Sequence, residues 1–212
     1  NNNVCCTSSR TEETLSGSAY LEWSKDDKYL AFDMQRHVGI LRKNSKKKMK
    51  QLKGHKLPLF DVSWSSINNS HMLCAGGQDS IVYLWNMKKK KCTHKFAAHS
   101  SYVSCVEWHP QQPIIASGSG DSRIVFYDAA GGRVAQKIDY HKSAILGVSW
   151  HPSENLIVSH SQDRNMVLLD TRAWSYVKIL AHTSPVLSVQ WSATGEYLAT
   201  VSKDVIHVWN FN

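Results

Sequence analysis

Short apolar segments recur along the chain at a nearly constant spacing, and each one ends in tryptophan. The tryptophans lie 41, 44, 42 and 41 residues apart, at Trp23, Trp64, Trp108, Trp150 and Trp191. A fixed period of roughly 20–50 residues is typical of proteins that stack copies of one structural unit. The spacing therefore predicts five repeats of the same unit.

Each repeat contains four short segments that are mostly apolar or β-branched. In the third repeat they lie at 103–108, 114–117, 123–128 and 133–138. Turn-forming residues separate them, at 109–113, 118–122 and 129–132. No helical period of 3.6 residues competes with this pattern. Four short strands per repeat predict one blade of a β-propeller, so the chain is predicted to be all-β.

A histidine and an aspartate recur in phase with the tryptophan in the last four repeats. The histidine lies nine residues before the tryptophan, at His55, His99, His141 and His182. The aspartate follows at Asp79, Asp121, Asp163 and Asp204. We expect the histidine before the first strand and the aspartate in the turn between the second and third strands. The first repeat has Thr14 and Arg36 at these positions and is identified by Trp23 and by spacing alone.

Similar dipeptides close the third strands, namely Trp85-Asn86, Tyr127-Asp128, Leu169-Asp170 and Trp209-Asn210, and Gly54-His55 opens the second repeat. With these motifs, residues 19–212 resemble the WD-repeat β-propeller family. Such propellers usually have seven blades, so the resemblance favours five four-stranded blades of a larger ring. A closed ring of five blades is the alternative.

The repeats divide the chain into a short lead and five predicted blades. The blades lie at approximately 19–53, 54–97, 98–139, 140–180 and 181–212, and the fifth ends after its third strand. Residues 1–18 are a polar lead, within which 4–15 is the candidate for the closing outer strand. A closing strand would remove the open edge of the sheet.

The resemblance also implies a buried chain of hydrogen bonds in each blade. It runs from the turn aspartate to the histidine, then to a hydroxyl on the second strand and an aromatic ring on the third. The expected members are Asp79, His55 and Trp85; Asp121, His99, Ser117 and Tyr127; Asp163, His141 and Ser159; and Asp204, His182, Thr200 and Trp209. Ala75 replaces the hydroxyl in the second blade, and Leu169 replaces the ring in the fourth.

These histidines and aspartates are interpreted as structural rather than catalytic. A catalytic site is needed once, whereas this set recurs from blade to blade. A buried carboxylate is tolerated only when hydrogen bonds satisfy it. No glycine-rich phosphate loop, paired acid motif or metal-ligand spacing occurs elsewhere. We therefore predict no enzyme activity, no catalytic residue, no metal and no cofactor.

Partner-binding residues are predicted from the resemblance alone. They lie three and five residues after each histidine, or directly before each turn aspartate. The predicted set is Pro58, Phe60, Gln78, Tyr102, Leu146, Gln162, Pro185, Leu187 and Lys203. An apolar centre with a polar rim suits a short peptide or a loop of a partner protein. The alternative is that Phe60, Leu146 and Leu187 only fill the central channel.

One stretch resembles a particular branch of the family more closely. Residues 54–57 and 61–66 are similar to part of the histone-tail-reading WD protein of methyltransferase complexes. That resemblance implies an arginine held between two phenylalanines in the channel. Phe60 fits one of those positions, whereas Ser104, Leu146 and Leu187 occupy the others.

Positive charge is concentrated in two lysine clusters. The formal net charge is +8 and the pI is about 9.2. The clusters are Lys46, Lys47, Lys48 and Lys50, and Lys88, Lys89, Lys90 and Lys91, in the predicted third-to-fourth-strand hairpins of adjacent blades. Such a patch suits a nucleic-acid backbone or an acidic tail. The alternative is a solvated surface, and no interleaved aromatic residue predicts base stacking.

Cysteine usage and hydropathy suggest an intracellular protein, cytoplasmic or nuclear. The five cysteines form no CxxC pair, which argues against a disulfide framework and a structural zinc site. No run of 18 apolar residues and no signal peptide are visible. The predicted function is a non-catalytic scaffold or adaptor that binds protein subunits and takes no small-molecule substrate. A propeller associated with nucleic acid or an acidic tail is the alternative, and a hydrolase ranks last.

Overall fold

The described part of the chain contains only strands, turns and loops. The computed structural model describes residues 20–43, 50–67, 71–89, 91–203 and 205–211. The all-β prediction is therefore confirmed for these residues. Over the same residues, no helix has the length and apolarity that a membrane span requires.

The strands form five antiparallel sheets in chain order. The first contains β1 (Leu21–Trp23), β2 (Tyr29–Met34), β3 (His37–Arg42) and β4 (Lys50–Lys53), and the second β5 (Leu59–Trp64), β6 (Met72–Gly77), β7 (Val82–Asn86) and β8 (Lys91–Phe96). The third contains β9 (Val103–Trp108), β10 (Ile114–Ser119), β11 (Ile124–Asp128) and β12 (Arg133–Ile138). The fourth contains β13 (Ile145–Trp150), β14 (Leu156–Ser161), β15 (Asn165–Asp170) and β16 (Ser175–Ala181), and the fifth β17 (Val186–Trp191), β18 (Tyr197–Ser202) and β19 (Val205–Asn210).

Each sheet is a meander in which strands that follow one another in the sequence pair side by side. The first strands of successive sheets contact one another, β1 with β5, β5 with β9, β9 with β13 and β13 with β17. Each sheet has one of the five repeat tryptophans at the end of its first strand, so the period of the tryptophans corresponds to one sheet. All first strands run in the same sense, from the histidine–aspartate end of the blade to the tryptophan end.

Two residues predicted in a turn belong to a strand instead. Gly118 and Ser119 extend β10, where Gly118 pairs with Cys105. The glycine serves close packing between blades rather than a turn, because an added Cβ would lie 2.3 Å from Ile145 Cγ2. Gly76 has the same role on β6, with Val103 of the next sheet 2.4 Å from the added Cβ.

The apolar core lies between neighbouring sheets, in a series of separate clusters. The tryptophans that end β5, β9, β13 and β17 are at most 8% exposed. Trp23, at the end of β1, is 46% exposed. The reason is geometric: each buried tryptophan packs against the preceding sheet, and no sheet precedes β1 within the described residues.

The buried tryptophans also join neighbouring blades by hydrogen bonds. The Trp64 indole N–H donates to the Glu22 carbonyl oxygen at 3.0 Å, and the Trp64 backbone N–H donates to Glu22 Oε2 at 2.7 Å. Trp150 makes the same two bonds to Glu107, at 3.3 Å and 2.9 Å. Sequence reasoning missed this link, although Glu22 and Glu107 directly precede a repeat tryptophan.

Candidate functional site

The third blade contains a continuous hydrogen-bonded chain that starts at its histidine–aspartate end. His99 Nδ1 lies 3.0 Å from Asp121 Oδ2, and His99 Nε2 lies 2.7 Å from Ser117 Oγ. Ser117 Oγ is in turn 3.1 Å from the Tyr127 hydroxyl. Because a carboxylate only accepts, the imidazole donates through Nδ1 and accepts the serine proton through Nε2.

Burial and hydrogen bonding fix the charge states of this pair. Burial lowers the pKa of His99, which favours the neutral imidazole. Burial would raise the pKa of Asp121, but the N–H of Ser100 and the adjacent His99 hold it below its ordinary value. The Ser100 N–H donates to Oδ2 at 2.9 Å, and the Arg123 N–H donates to Oδ1 at 3.0 Å. The Asp121 carboxylate therefore also links the loop at Ser100 to the turn before Arg123.

The fourth blade repeats this arrangement without its last member. His141 Nδ1 lies 3.0 Å from Asp163 Oδ2, and His141 Nε2 lies 2.8 Å from Ser159 Oγ. Leu169 replaces the ring hydroxyl and is buried in the core. The Ser159 hydroxyl gives its one proton to His141 Nε2, so the hydrogen-bonded chain ends at this serine.

The second blade has the histidine–aspartate pair but leaves one imidazole nitrogen unsatisfied. His55 Nδ1 lies 2.9 Å from Asp79 Oδ1. Ala75 offers no hydroxyl, and His55 Nε2 is buried with no hydrogen-bond partner. The ring packs instead against Tyr83, with centroids 4.1 Å apart, and lies 5.8 Å from Trp85.

The fifth blade departs from the expected chain. The Trp209 indole N–H donates to Thr200 Oγ1 at 3.2 Å, as expected. The predicted bond between His182 and Thr200 is absent: His182 Nε2 has no partner, and its ring packs edge-on against His207 at 5.2 Å. His207 pairs with Thr200 across the sheet and provides this ring contact. Asp204 lies outside the described residues.

The predicted partner-binding residues lie at the histidine–aspartate end of the blades. Backbone hydrogen bonds join the turn at each aspartate to the start of the first strand: the Gln78 N–H donates to the Pro58 carbonyl at 2.8 Å, and the N–H of Gly120, the residue before Asp121, donates to the Tyr102 carbonyl at 2.9 Å. We name the following set the partner face: Pro58, Phe60, Gln78, Tyr102, Leu146, Gln162, Pro185, Leu187 and Lys203. Gln78, Gln162, Leu187 and Lys203 are exposed, and the other five are half-buried.

An aromatic pair links two blades at the partner face. The rings of Phe60 and Tyr102 meet edge to face, with centroids 5.7 Å apart. Gly120 permits this placement of Tyr102, because an added Cβ would lie 2.5 Å from its ring. Leu187, on the fifth sheet, is 63% exposed. The face therefore offers both an ordered aromatic contact and accessible apolar surface.

The lysine clusters lie partly outside the described residues, which exclude Lys46, Lys47, Lys48 and Lys90. Lys50 and Lys91 begin β4 and β8, and Lys88 and Lys89 lie in the turn before β8. These four side chains are exposed. Their positions on the third-to-fourth-strand connections place them at the tryptophan end of the blades, away from the partner face.

The described residues contain no group of three or more His, Cys, Asp and Glu side chains arranged to hold a metal ion. Cys74 and Cys105 are buried free thiols, and burial raises the pKa of Cys105 to about 12. A thiol in that state is a weak nucleophile at neutral pH.

Several proteins are similar to parts of this chain. Periodic tryptophan protein 1 homolog of Drosophila melanogaster is 34% identical over 70 residues, 33% of this chain and 15% of that protein. One of the subunits of chromatin assembly factor 1 from Mus musculus is 28% identical over 94 residues, 44% of this chain and 16% of that protein. The U5 small nuclear ribonucleoprotein 40 kDa protein of Homo sapiens is 32% identical over 59 residues, 28% of this chain and 16% of that protein.

The repeat itself matches a family profile described as WD domain, G-beta repeat. The matched segments are 46–86, 90–128, 132–170 and 174–210, which together cover most of the chain. Each segment begins near the outer strand of one sheet and ends with the third strand of the next. The chain therefore belongs to the WD domain, G-beta repeat family.

Proposed function

We propose that this chain is a non-catalytic scaffold or adaptor that binds a protein partner at the partner face. The observation that carries the proposal is the Phe60–Tyr102 edge-to-face pair, which presents half-buried aromatic surface across two blades. Aromatic residues dominate the binding energy of many protein interfaces. Because sheets on both sides hold the two rings, little side-chain entropy is lost on binding.

The chemistry of the face favours a peptide or loop with apolar side chains. Phe60, Leu146 and Leu187 provide apolar surface, while Gln78 and Gln162 are exposed amides at its margin. Amides of this kind donate to and accept from the backbone of an extended segment. We propose that the partner inserts one or two apolar side chains near Phe60 and hydrogen-bonds to the glutamines.

The repeated polar chains support a scaffold rather than a hydrolase. Ser117 and Ser159 are fully buried, so a substrate carbonyl cannot reach either hydroxyl without opening of the blade. The same imidazole–carboxylate contact occurs in three blades at 2.9–3.0 Å. A repeated, buried contact is suited to positioning loops, as the bonds from Ser100 and Arg123 to Asp121 illustrate.

The similar proteins support membership of a larger assembly. One is named as part of a chromatin assembly factor and another as a component of a small nuclear ribonucleoprotein. We propose that this chain likewise acts inside the cell, in the nucleus or cytoplasm, as one member of a complex with several proteins.

We also propose that the five blades form part of a larger propeller. On the fifth sheet the side chains of Ile206 and Val208 are 69% and 67% exposed, and on the first sheet Leu21 is 59% exposed. Contiguous apolar surface of this kind normally packs against another element. Further blades at both sides would cover it, whereas a closed ring of five would have buried it.

The proposal is tested by partner capture from extract with quantitative mass spectrometry. The double variant Phe60→Ala, Leu187→Ala removes apolar surface from the partner face and should lose its partners at least tenfold, since each truncation at a hot spot costs about 2 kcal/mol or more. The matched control is Val177→Ala, which truncates a side chain that is 55% exposed on β16. Equal capture by the double variant and the wild type would reject the partner face.

The lysine clusters motivate a second candidate, association with a polyanion. Lys88 and Lys89 are exposed neighbours in the turn before β8. Reversing both to Glu should weaken heparin binding and flatten its dependence on salt, because fewer counterions are released. The control reverses Lys142 and Lys178, two exposed lysines of the fourth blade. An unchanged salt slope in the Lys88, Lys89 variant would eliminate this candidate.

A further inference from the structure

The turns between the second and third strands carry exposed cations. Among the described residues these cations are Arg36, Arg123, Arg164 and Lys203, which lie in the first, third, fourth and fifth sheets. We name them the turn cations. All four side chains are exposed, and none forms an ion pair with another described residue. They are therefore free to pair with an anionic group of a partner.

Backbone hydrogen bonds hold these turns beside the partner face. In the turn of the first sheet, the Gln35 carbonyl accepts the Leu59 N–H at 2.7 Å. In the turn of the fourth sheet, the Gln162 N–H donates to the Ala144 carbonyl at 3.0 Å. Leu59 and Ala144 lie one and two positions before residues of the partner face, and Lys203 is itself a member of it. The turn cations therefore lie along the margin of the partner face.

The aspartates of the same turns point into the blades. The side chains of Asp121 and Asp163 are only 6% and 8% exposed, and each contacts the imidazole of its histidine at 3.0 Å. Asp121 also accepts the N–H groups of Ser100 and Arg123. These carboxylates are thus buried and satisfied by N–H donors, whereas the cations extend into solvent. The charge that the turns present to a partner is positive.

The turn cations lie around an apolar centre. Phe60 and Tyr102 form the edge-to-face pair at 5.7 Å, and Leu187 is 63% exposed. An ion pair at an open surface contributes little, because water screens it. When a partner covers neighbouring apolar side chains, water is excluded and the attraction between charges increases. The combination favours a ligand that carries both apolar and anionic side chains.

We propose that the partner face binds an acidic segment, in which glutamate or aspartate side chains flank an apolar anchor. This inference rests on the proposed function, because it names the class of segment that the partner face takes. Three of the four turn cations are arginines, whose planar guanidinium can pair with a carboxylate through two parallel N–H bonds. The apolar anchor contacts Phe60 and Leu187, and the carboxylates pair with the turn cations at the margin.

The direct test is selection of a random peptide display library on the full chain. The double variant Phe60→Ala, Leu187→Ala serves for counter-selection, so only peptides that need the partner face are retained. The retained peptides should be enriched in Asp and Glu and depleted in Lys and Arg relative to the unselected library. Retained peptides without this acidic bias would overturn the inference and leave the partner face standing. Failure to retain any peptide would reject both.

Charge reversal of two turn cations gives a second readout. Arg123→Glu together with Arg164→Glu should weaken binding of a retained acidic peptide roughly tenfold, because each substitution replaces an attraction by a repulsion. Lys88→Glu together with Lys89→Glu makes the same change in net charge at the tryptophan end and is the matched control. All four side chains are exposed, so both variants should fold like the wild type. Equal weakening in the two variants, or unchanged affinity in the arginine variant, would refute the assignment.

Discussion

At the scale of single residues, the blades depend on buried polar groups that satisfy one another. His99, Asp121, Ser117 and Tyr127 form an uninterrupted chain of contacts between 2.7 and 3.1 Å. Hydrogen bonds to a charged partner contribute about 1.5–3 kcal/mol each, and a partner left alone in the interior is costly. The stability of each blade should therefore respond strongly to the loss of one member.

Asp121→Ala should reduce the free energy of unfolding by about 3–5 kcal/mol. The substitution leaves buried His99 and the Ser100 and Arg123 N–H groups without their acceptor. Urea denaturation followed by tryptophan fluorescence measures the change. Glu154→Ala, at an exposed acid of the fourth blade, is the control and should change stability by less than about 1 kcal/mol. A wild-type unfolding curve for Asp121→Ala would mean that the pair does not stabilise the blade.

Ala75→Ser should instead stabilise the second blade. His55 Nε2 is buried without a partner, and in the third and fourth blades a serine at the equivalent position satisfies that nitrogen. A new hydrogen bond of this kind contributes about 1 kcal/mol. The same denaturation experiment checks it, with Ala116→Ser, which adds a buried hydroxyl on β10 without a histidine to meet it, as the control. Destabilisation by both serines to the same extent would contradict the account.

At the scale of elements, glycines set how closely two sheets approach. Gly118 on β10 faces Ile145 on β13, and Gly76 on β6 faces Val103 on β9. An added Cβ at either position would lie within 2.4 Å of a side-chain carbon, closer than atoms can pack. The spacing between blades is therefore fixed by the absence of a side chain at these positions.

Gly118→Ala should destabilise the protein by about 1–3 kcal/mol, the usual cost of overpacking a filled core. Gly54→Ala is the comparison, because its added Cβ would meet the Tyr83 ring at 3.1 Å, a contact that a small shift relieves. Differential scanning calorimetry of both variants gives the two melting temperatures. A larger loss for Gly54→Ala than for Gly118→Ala would reject the packing argument.

The strands were predictable from the sequence, and several contacts between blades were not. The tryptophan period and the turn residues place β9 and β12 where the structure has them. The bonds from Trp64 and Trp150 to the preceding sheet depend on how blades stack, which a periodic pattern within one repeat does not encode. The same reason explains why Trp23, equivalent in the repeat, is exposed.

The presence of every member did not guarantee a complete polar chain. In the third and fourth blades the serine hydroxyl makes the expected contact with the histidine. In the fifth blade Thr200 bonds to Trp209 while His182 packs against His207, a residue that the repeat pattern does not single out. Motif positions alone therefore do not predict the packing between the His182 and His207 rings.

At the scale of the whole molecule, the two ends of the first strands carry different chemistry. The partner face has aromatic and aliphatic side chains with amides at its margin, whereas the opposite end carries the exposed lysines Lys88, Lys89 and Lys91. Separate surfaces on one rigid array of blades would let a scaffold hold two partners at once. The buried polar chains order the loops on which the partner face lies, as the bonds from the Ser100 and Arg123 N–H groups to Asp121 illustrate.

The most direct test of the scaffold function is site-specific photocrosslinking in cells. A benzophenone amino acid at position 187, on the partner face, is compared with one at position 177 on β16, since both side chains are more than half exposed. The account predicts a defined protein crosslink at 187 that is absent at 177 and is lost when Phe60 is changed to Ala. Crosslinking at 177 but not at 187, or none that depends on Phe60, would contradict it.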